Sequence, residues 1–156
     1  MGLDFGRLVG DAERDGVEKF VVGAVVHDVG RVLILRRSAV DDFLPGIEEL
    51  PSGGVDPGED LFQALARELG EEIGWHRPIA LDAGFVACFD YTTGSGRRAR
   101  QFTFSLAHDS SPITLSAEHT ALRWITPAEV DDTDLTPESR QVITTWTHHV
   151  PHTQNH

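Results

Sequence analysis

The sequence contains a single cysteine, Cys88, and no apolar run approaching the roughly 18–20 residues that are needed to cross a bilayer. An intramolecular disulfide is therefore excluded, and no transmembrane helix is predicted. Because Val86 and Phe89 lie close to Cys88, we expect a buried thiol and not a reactive nucleophile. The N-terminal residues lack the basic and apolar regions of an export signal, so we expect a cytoplasmic protein without a membrane partner.

Positive charge is also scarce. The chain has 13 Lys and Arg against 25 Asp and Glu, which gives a formal net charge of −12. A nucleic acid polymer is not expected as a partner, because such polymers are usually bound by a basic stripe. A small anionic substrate stays open if metal cations screen its site.

The 156 residues suit one domain with one core, and no internal repeat or long linker divides them. We expect a single domain over residues 1–156, with 1–17 and 150–156 peripheral to it. A homodimer stays open, because a single sequence does not identify an exposed apolar stripe.

Runs of β-branched and aromatic residues predict two hairpins and a further strand. These strands are residues 20–26, 32–35, 85–89, 101–106 and 120–125. Pro127 follows a threonine that is spaced for a capping box and predicts a short helix, and Pro137 opens a last helix in the same way. The order of these elements predicts a mixed α/β fold.

The clearest helix is predicted over residues 57–73. Asp56 is a suitable N-cap, Glu59 stands at the capping-box position, and Gly74 suits a left-handed C-terminal residue. At about 100° per residue, one face of this helix is an apolar stripe that would pack on a sheet. The stripe comprises Phe62, Leu65, Ala66, Leu69 and Ile73.

Three carboxylates, Glu68, Glu71 and Glu72, fall on the flank of this stripe within an arc of about 100°. Like charges at this spacing repel one another, and a divalent cation such as Mg²⁺ or Mn²⁺ would compensate them. The alternative is an acidic face in solvent. The nearby buried stripe, the intervening Arg67 and a preceding Gly-Gly pair, where backbone can approach an anion, favour the cation.

Written as a pattern, the segment is Gly53, five residues, Glu59, seven residues and then RELGEEIGW from Arg67 to Trp75. This pattern resembles the Nudix box of the Nudix (MutT-like) hydrolases at every charged and glycine position. Trp75 departs from it, because the family has an aliphatic residue there. The resemblance implies an α/β/α sandwich around a mixed β-sheet, with the box as a loop-helix-loop.

The resemblance also implies roles for single residues. Glu68 and Glu72 would be the principal metal ligands, with Glu71 as a third, and the backbone carbonyl of Ser52 would also meet a metal. Glu59 would pair with Arg67 and hold the loop. For the group that activates water, the resemblance leaves Glu68 and Glu118 open.

The implied reaction is metal-dependent hydrolysis, with Mg²⁺ or Mn²⁺, of a nucleoside diphosphate that is linked to another group. The candidate substrate-binding residues are Arg36, Arg37, Gly53, Gly54 and Tyr91. We expect a nucleoside triphosphate, with oxidised bases among the candidates.

Four alternatives remain open. Tyr91 lies seventeen residues after Gly74, which resembles the tyrosine placement in diadenosine polyphosphate hydrolases, and a nucleotide sugar is a further candidate substrate. A non-catalytic module that binds nucleotide is the alternative from another class, although the intact acids disfavour it. An isopentenyl diphosphate isomerase would need a catalytic cysteine, and the surroundings of Cys88 do not resemble one.

Overall fold

The computed structural model describes residues 3–38 and 46–149. The strands are β1 (Lys19–Asp28), β2 (Arg31–Arg37), β3 (Glu48–Glu49), β4 (Ser52–Gly54), β5 (Ala87–Thr92), β6 (Arg98–Ala107) and β7 (His119–Ile125). The helices are α1 (Phe5–Arg14), α2 (Leu61–Ile73), a 3₁₀ helix (Pro127–Asp132) and α3 (Pro137–His149). The C-terminal segment 150–156, which we expected to be peripheral, lies outside the described residues.

The described strands form one mixed sheet with the order β3-β2-β1-β6-β5. The central pair, β1 and β6, is parallel, whereas β2 runs antiparallel to β1, and β5 runs antiparallel to β6. Two further strands join this path: β4 pairs with β1, and β7 pairs with β2. The predicted mixed α/β fold and both predicted hairpins are thus confirmed.

Apolar side chains cover both faces of the sheet, because β1, β2 and β6 are central strands and must be buried on both sides. One face packs against α1 and α2 through Val22, Leu33, Phe104, Ala12 and Leu65, among others. The other packs against α3 through Val25, Ile34, Val142, Ile143 and Trp146, among others. The layers are therefore helix, sheet and helix, as the resemblance implied.

The box helix α2 begins at Leu61, so the predicted start at residue 57 was wrong. Gly58 adopts φ +85°, which an α-helix cannot accommodate, and the chain turns there before the helix. The N-cap is Asp60, whose side chain accepts from Gln63 N at 2.7 Å while Gln63 Oε1 accepts from Asp60 N at 2.9 Å. Gly74 ends the helix at φ 74°, as predicted.

Helix α1 was not predicted from the sequence. Its residue Ala12 is fully buried, and the ring centroid of Phe5 lies 5.4 Å from that of Phe104 on the sheet. This segment therefore contributes side chains to the core that also holds α2.

Cys88 is exposed, so the expected buried thiol was wrong. Strand β5 lies at one end of the sheet order and alternates between less and more exposed positions. Cys88 occupies one of the exposed positions, and its neighbour Phe89 faces the opposite way. Within residues 3–38 and 46–149, no helix is long and apolar enough to cross a membrane.

Candidate active site

A cleft of about 730 Å³ lies between the box helix α2, strands β1, β4 and β5, and the start of α3. It brings together most of the residues that the sequence predicted for the site. These are Arg37, Ser52, Gly53, Gly54, Glu68, Glu71, Glu72, Tyr91 and Glu118. The remaining lining includes Phe89, and also Lys19, Glu49, Gln101 and Glu138, which the sequence did not single out.

Arg67 connects the two ends of the box. Its Nε and Nη2 donate to the two carboxylate oxygens of Glu59 at 2.7 and 2.9 Å, and Nη2 also donates to the Gly54 carbonyl at 2.8 Å. Its Nη1 donates to Glu68 Oε1 at 2.7 Å and to Glu71 Oε1 at 3.3 Å. The hydrogen bonds from Arg67 lower the pKa of Glu59 to about 2, so this carboxylate stays ionised at neutral pH.

Gly53 permits the close approach of the box loop to its helix. A Cβ built on Gly53 would overlap the carboxylate of Glu68. Any side chain at residue 53 would therefore displace Glu68 or separate β4 from α2. The next residue is less restricted, since a Cβ on Gly54 would meet only the Lys19 side chain, at 3.7 Å.

Glu72 is 5% exposed and is held by the backbone, because its Oε1 accepts from Ser52 N at 2.9 Å. Burial raises the pKa of Glu72 to about 9, and the carboxylates of Glu49, Glu68 and Glu118 add to this rise. Burial also raises the pKa of Glu68, against the opposing effect of Arg67. The carboxylates in this part of the cleft therefore lack sufficient positive charge among the described residues.

Such a cluster suits a divalent cation. Carboxylate oxygens are the ligands that Mg²⁺ and Mn²⁺ prefer, and a cation would supply the missing positive charge. One ligand atom each from Glu49, Glu72 and His119 lie within 4.8 Å of one another. The donor set therefore fits a metal, although the sequence analysis included only Glu72 of these three residues.

Glu49 and His119 are distant in the sequence but in contact in the fold. His119 Nε2 lies 2.7 Å from Glu49 Oε2 although the residues are 70 positions apart, and the His119 side chain is fully buried. Glu49 also accepts from Arg37 Nη1, at 3.1 and 3.3 Å. The only local signal is that Glu49 stands just before the box and His119 just after Glu118, which is too weak to identify either.

Arg36 does not line this cleft, in contrast to Arg37. Its Nη1 donates to the Gly46 carbonyl at 2.6 Å and to Asp134 Oδ2 at 3.1 Å, and its Nη2 lies 3.6 Å from Glu48. Adjacent residues of a strand point to opposite faces, so β2 can direct only one of these two arginines into the cleft.

Comparison with known proteins agrees with this geometry. The NUDIX domain family model matches residues 18–146. The uncharacterized Nudix hydrolase YfcD of Shigella flexneri is 31% identical over 127 residues, which cover 78% of this chain and 68% of that protein. The CTP pyrophosphohydrolase of Escherichia coli (strain K12) is 32% identical over 117 residues, covering 75% and 82%.

A solved structure supports the same relationship. The solution structure of the E. coli ORF135 protein superposes with a TM-score of 0.71 at 27% identity, covering 86% of this chain and 92% of that one. The match spans both helical layers and the sheet, and the box motif lies within it at the rim of the cleft. The chain therefore belongs to the Nudix family and is a Nudix hydrolase.

Proposed function

We propose that this Nudix hydrolase is a divalent-cation-dependent pyrophosphohydrolase of nucleoside triphosphates, with standard and oxidised bases as candidates. One observation carries the proposal. A single cleft combines the carboxylates of the box helix with a pair of aromatic rings, those of Phe89 and Tyr91. The carboxylates suit the cations that accompany a polyphosphate chain, and the rings suit a nucleobase.

In this proposal, Glu68 and Glu72 are the principal metal ligands, Glu71 is a third, and the carbonyl of Ser52 is a further one. The bound cation, Mg²⁺ or Mn²⁺, would neutralise phosphate charge and lower the pKa of water from 15.7 toward neutrality. The hydrogen bond from Ser52 N to Glu72 supports this role, because it fixes the orientation of a buried carboxylate. Arg67 orients Glu68, and Glu59 in turn holds Arg67.

Two carboxylates are candidates to take the proton from the attacking water. Glu68 lies within the box and is held by Arg67, whereas Glu118 is exposed at another part of the cleft rim. A general base must reach the proton that it removes. Glu118→Gln distinguishes them, because Glu68 is also a proposed metal ligand and its loss would lower kcat in either case. Loss of the acidic limb of the pH profile in Glu118→Gln would identify Glu118 as the base, and an unchanged profile would favour Glu68.

The substrate chain is proposed to lie along the box loop. The backbone at Gly53 and Gly54 allows close approach, and Arg37 faces the cleft, so it is preferred to Arg36 as a phosphate contact. The Phe89 and Tyr91 ring centroids are 6.0 Å apart with the planes 37° from parallel. In this proposal a base stacks against this pair, and its phosphates extend to the glycines in the same cleft.

The test measures hydrolysis of a panel of substrates by the wild-type protein, with Mg²⁺ and with a chelator. Glu72→Gln is assayed on the same panel with Mg²⁺. The panel contains CTP, the other standard triphosphates, oxidised triphosphates, diadenosine polyphosphates, ADP-ribose and nucleotide sugars. CTP comes first because one relative is a CTP pyrophosphohydrolase. Cleavage of a triphosphate to the monophosphate and pyrophosphate, lost with chelator and in the variant, supports the proposal.

Two other results would redirect it. Preferential cleavage of diadenosine polyphosphates would favour the second candidate function, for which the position of Tyr91 in the cleft is the specific observation. Metal-dependent binding of nucleotide without hydrolysis of any panel member would contradict the proposal and identify a binding module.

A further inference from the structure

Lys19 is the only lysine in the chain, and its side chain lines the cleft. The other cationic side chain in the lining is Arg37, which donates to Glu49. Within residues 3–38 and 46–149, the Lys19 ammonium forms no ion pair or hydrogen bond. Lys19 is thus a cation in an acidic cleft that no carboxylate of the described chain neutralises.

The side chain of Lys19 lies along the box loop. Strand β1 pairs with β4, and Val21, two residues after Lys19, stands opposite Gly54. The Lys19 Cε is 3.7 Å from the point where a Cβ of Gly54 would stand. The aliphatic stem of the lysine side chain therefore lies directly beside this glycine. The carbonyl of Gly54 points to Arg67, and the loop is therefore fixed beneath this stem.

Lys19 also faces the aromatic pair across the sheet. It pairs with Ala99 on β6, and Ala99 pairs with Tyr91 on β5. Neighbouring strands are about 4.8 Å apart, so Lys19 and Tyr91 originate roughly 10 Å from each other. Ala99, which is small and fully buried, lies between them, and Lys19 and Tyr91 are therefore on the same face of the sheet and both line the cleft.

We propose that Lys19 binds a phosphate of the substrate's polyphosphate chain, beside Gly54 and apart from the carboxylate cluster. This inference rests on the proposed function, because it takes the ligand to be a nucleoside polyphosphate. An ammonium on a flexible stem donates to phosphate oxygens in several directions and can follow the chain as it is cleaved. Lys19 is a substrate-binding residue in this proposal. Its positive charge adds to that of the bound metal cation and comes from the protein itself.

The uniqueness of Lys19 allows a direct test of binding. Limited acetylation of the whole protein modifies only the Lys19 ammonium and the α-amine among its amines, and peptide mass spectrometry separates the two rates. With Mg²⁺ and either inorganic triphosphate or a CTP analogue with a methylene bridge between the α- and β-phosphorus atoms, we expect Lys19 acetylation to slow at least 10-fold. The α-amine rate is the internal control and should not change.

Variants give a second measurement. Lys19→Gln should raise KM, and the dissociation constant of the non-hydrolysable analogue, by about 10- to 100-fold with little change in kcat, as expected for a charged hydrogen bond. Lys19→Arg should recover most of the loss. Arg31→Gln is the matched control, because Arg31 is an exposed cation outside the cleft lining and should bind as the wild type does.

The two proposals fail in different ways. Protection of Lys19 without hydrolysis of any panel member would contradict the proposed function and support the Lys19 site. Acetylation of Lys19 at an unchanged rate while calorimetry shows the analogue bound would overturn the Lys19 proposal, even if the enzyme is active. An equal loss of affinity in Lys19→Gln and Arg31→Gln would overturn it as well, since that would reflect net charge alone.

Discussion

Glu48 and Glu72 are two glutamates with almost the same solvent exposure, 3% and 5%, and opposite electrostatic surroundings. Glu48 accepts from Arg123 Nε and Nη2, both at 2.8 Å, and from Asp134 N at 2.9 Å. These contacts lower the pKa of Glu48, with the hydrogen bonds from Arg123 as the largest cause. Glu72 has the Ser52 amide and a group of carboxylates around it, and burial raises its pKa to about 9.

The difference shows that burial by itself does not decide the state of a carboxylate. A guanidinium beside a buried acid favours the ionised form, whereas burial without a cation favours the neutral form. At Glu48 the protein itself supplies the balancing positive charge, through Arg123. At Glu72 no arginine or lysine plays this part among the described residues, which is expected of a site that functions with a bound cation.

Substitution of Glu72 should have the largest effect on activity. Glu72→Gln should lower kcat/KM by about 10³-fold, because losing a charged metal ligand removes several kcal/mol of transition-state stabilisation. The metal-free variant should be at least as stable as the wild type, since the replaced group is already neutral at pH 7. Hydrolysis assays and thermal unfolding measure the two effects, and a variant with wild-type activity would contradict the assignment.

A change of volume near the same carboxylates should have the next largest effect. Gly53→Ala places a methyl group where the Glu68 carboxylate lies, and a shift of about 1 Å in a catalytic group can reduce activity about 10²-fold. Gly94→Ala is the control and should stay within about threefold, because a Cβ at Gly94 would meet nothing within 4 Å and Gly94 lies outside the cleft lining. Wild-type activity in Gly53→Ala would contradict the role given to this glycine.

The Glu48 region should respond in stability and not in chemistry. Arg123→Met removes the main partner of a buried carboxylate and should lower the free energy of unfolding by about 2 kcal/mol, less than for a fully buried pair because Arg123 is 45% exposed. Urea unfolding measures this loss, with Arg31→Met as a surface control that should change by less than about 0.5 kcal/mol. A fall in kcat/KM as large as that of Glu72→Gln would show that the two regions are not separate.

The smallest expected effect is the dependence of stability on pH. The folded pKa of Glu72, about 9, is above its ordinary value of 4.5, so the folded state binds more protons than the unfolded state between these values. The stability of the metal-free protein that depends on Glu72 is therefore fully present below pH 4.5 and is lost as pH rises toward 9. We therefore expect the melting temperature of the metal-free protein to fall as pH rises from 6 to 9, which thermal unfolding at a series of pH values measures.

Glu72→Gln should remove this fall, and added Mg²⁺ should reduce it by favouring the ionised carboxylate. Glu48 has the opposite sign, because its folded pKa lies below 4.5 and its contribution is lost only as pH falls below that value. An identical pH profile for wild type and Glu72→Gln would contradict the difference between the two regions.

Local patterns in the sequence predicted much of the fold. The alternating strands, the proline-led helices and the end of α2 at Gly74 all depend on neighbouring residues, which a sequence displays directly. The start of α2 was misplaced because Asp56, Pro57 and Glu59 resemble the start of a helix. The positive φ of Gly58 turns the chain there, and Asp60 is the N-cap instead. The burial of Cys88 was misjudged because local apolar neighbours do not reveal that β5 is an edge strand.

The box is sufficient to predict a Nudix hydrolase from the sequence, because its acids, its arginine and its glycines lie within 23 residues and their chemistry depends on that spacing. The tertiary structure alone decided which other groups surround the box. Pairing of β1 with β6 and of β5 with β6 sets Lys19 and Tyr91 on one face of the sheet, and Glu49 meets His119 from 70 residues away. These contacts follow from strand register and layer packing, which arise only when distant segments fold together.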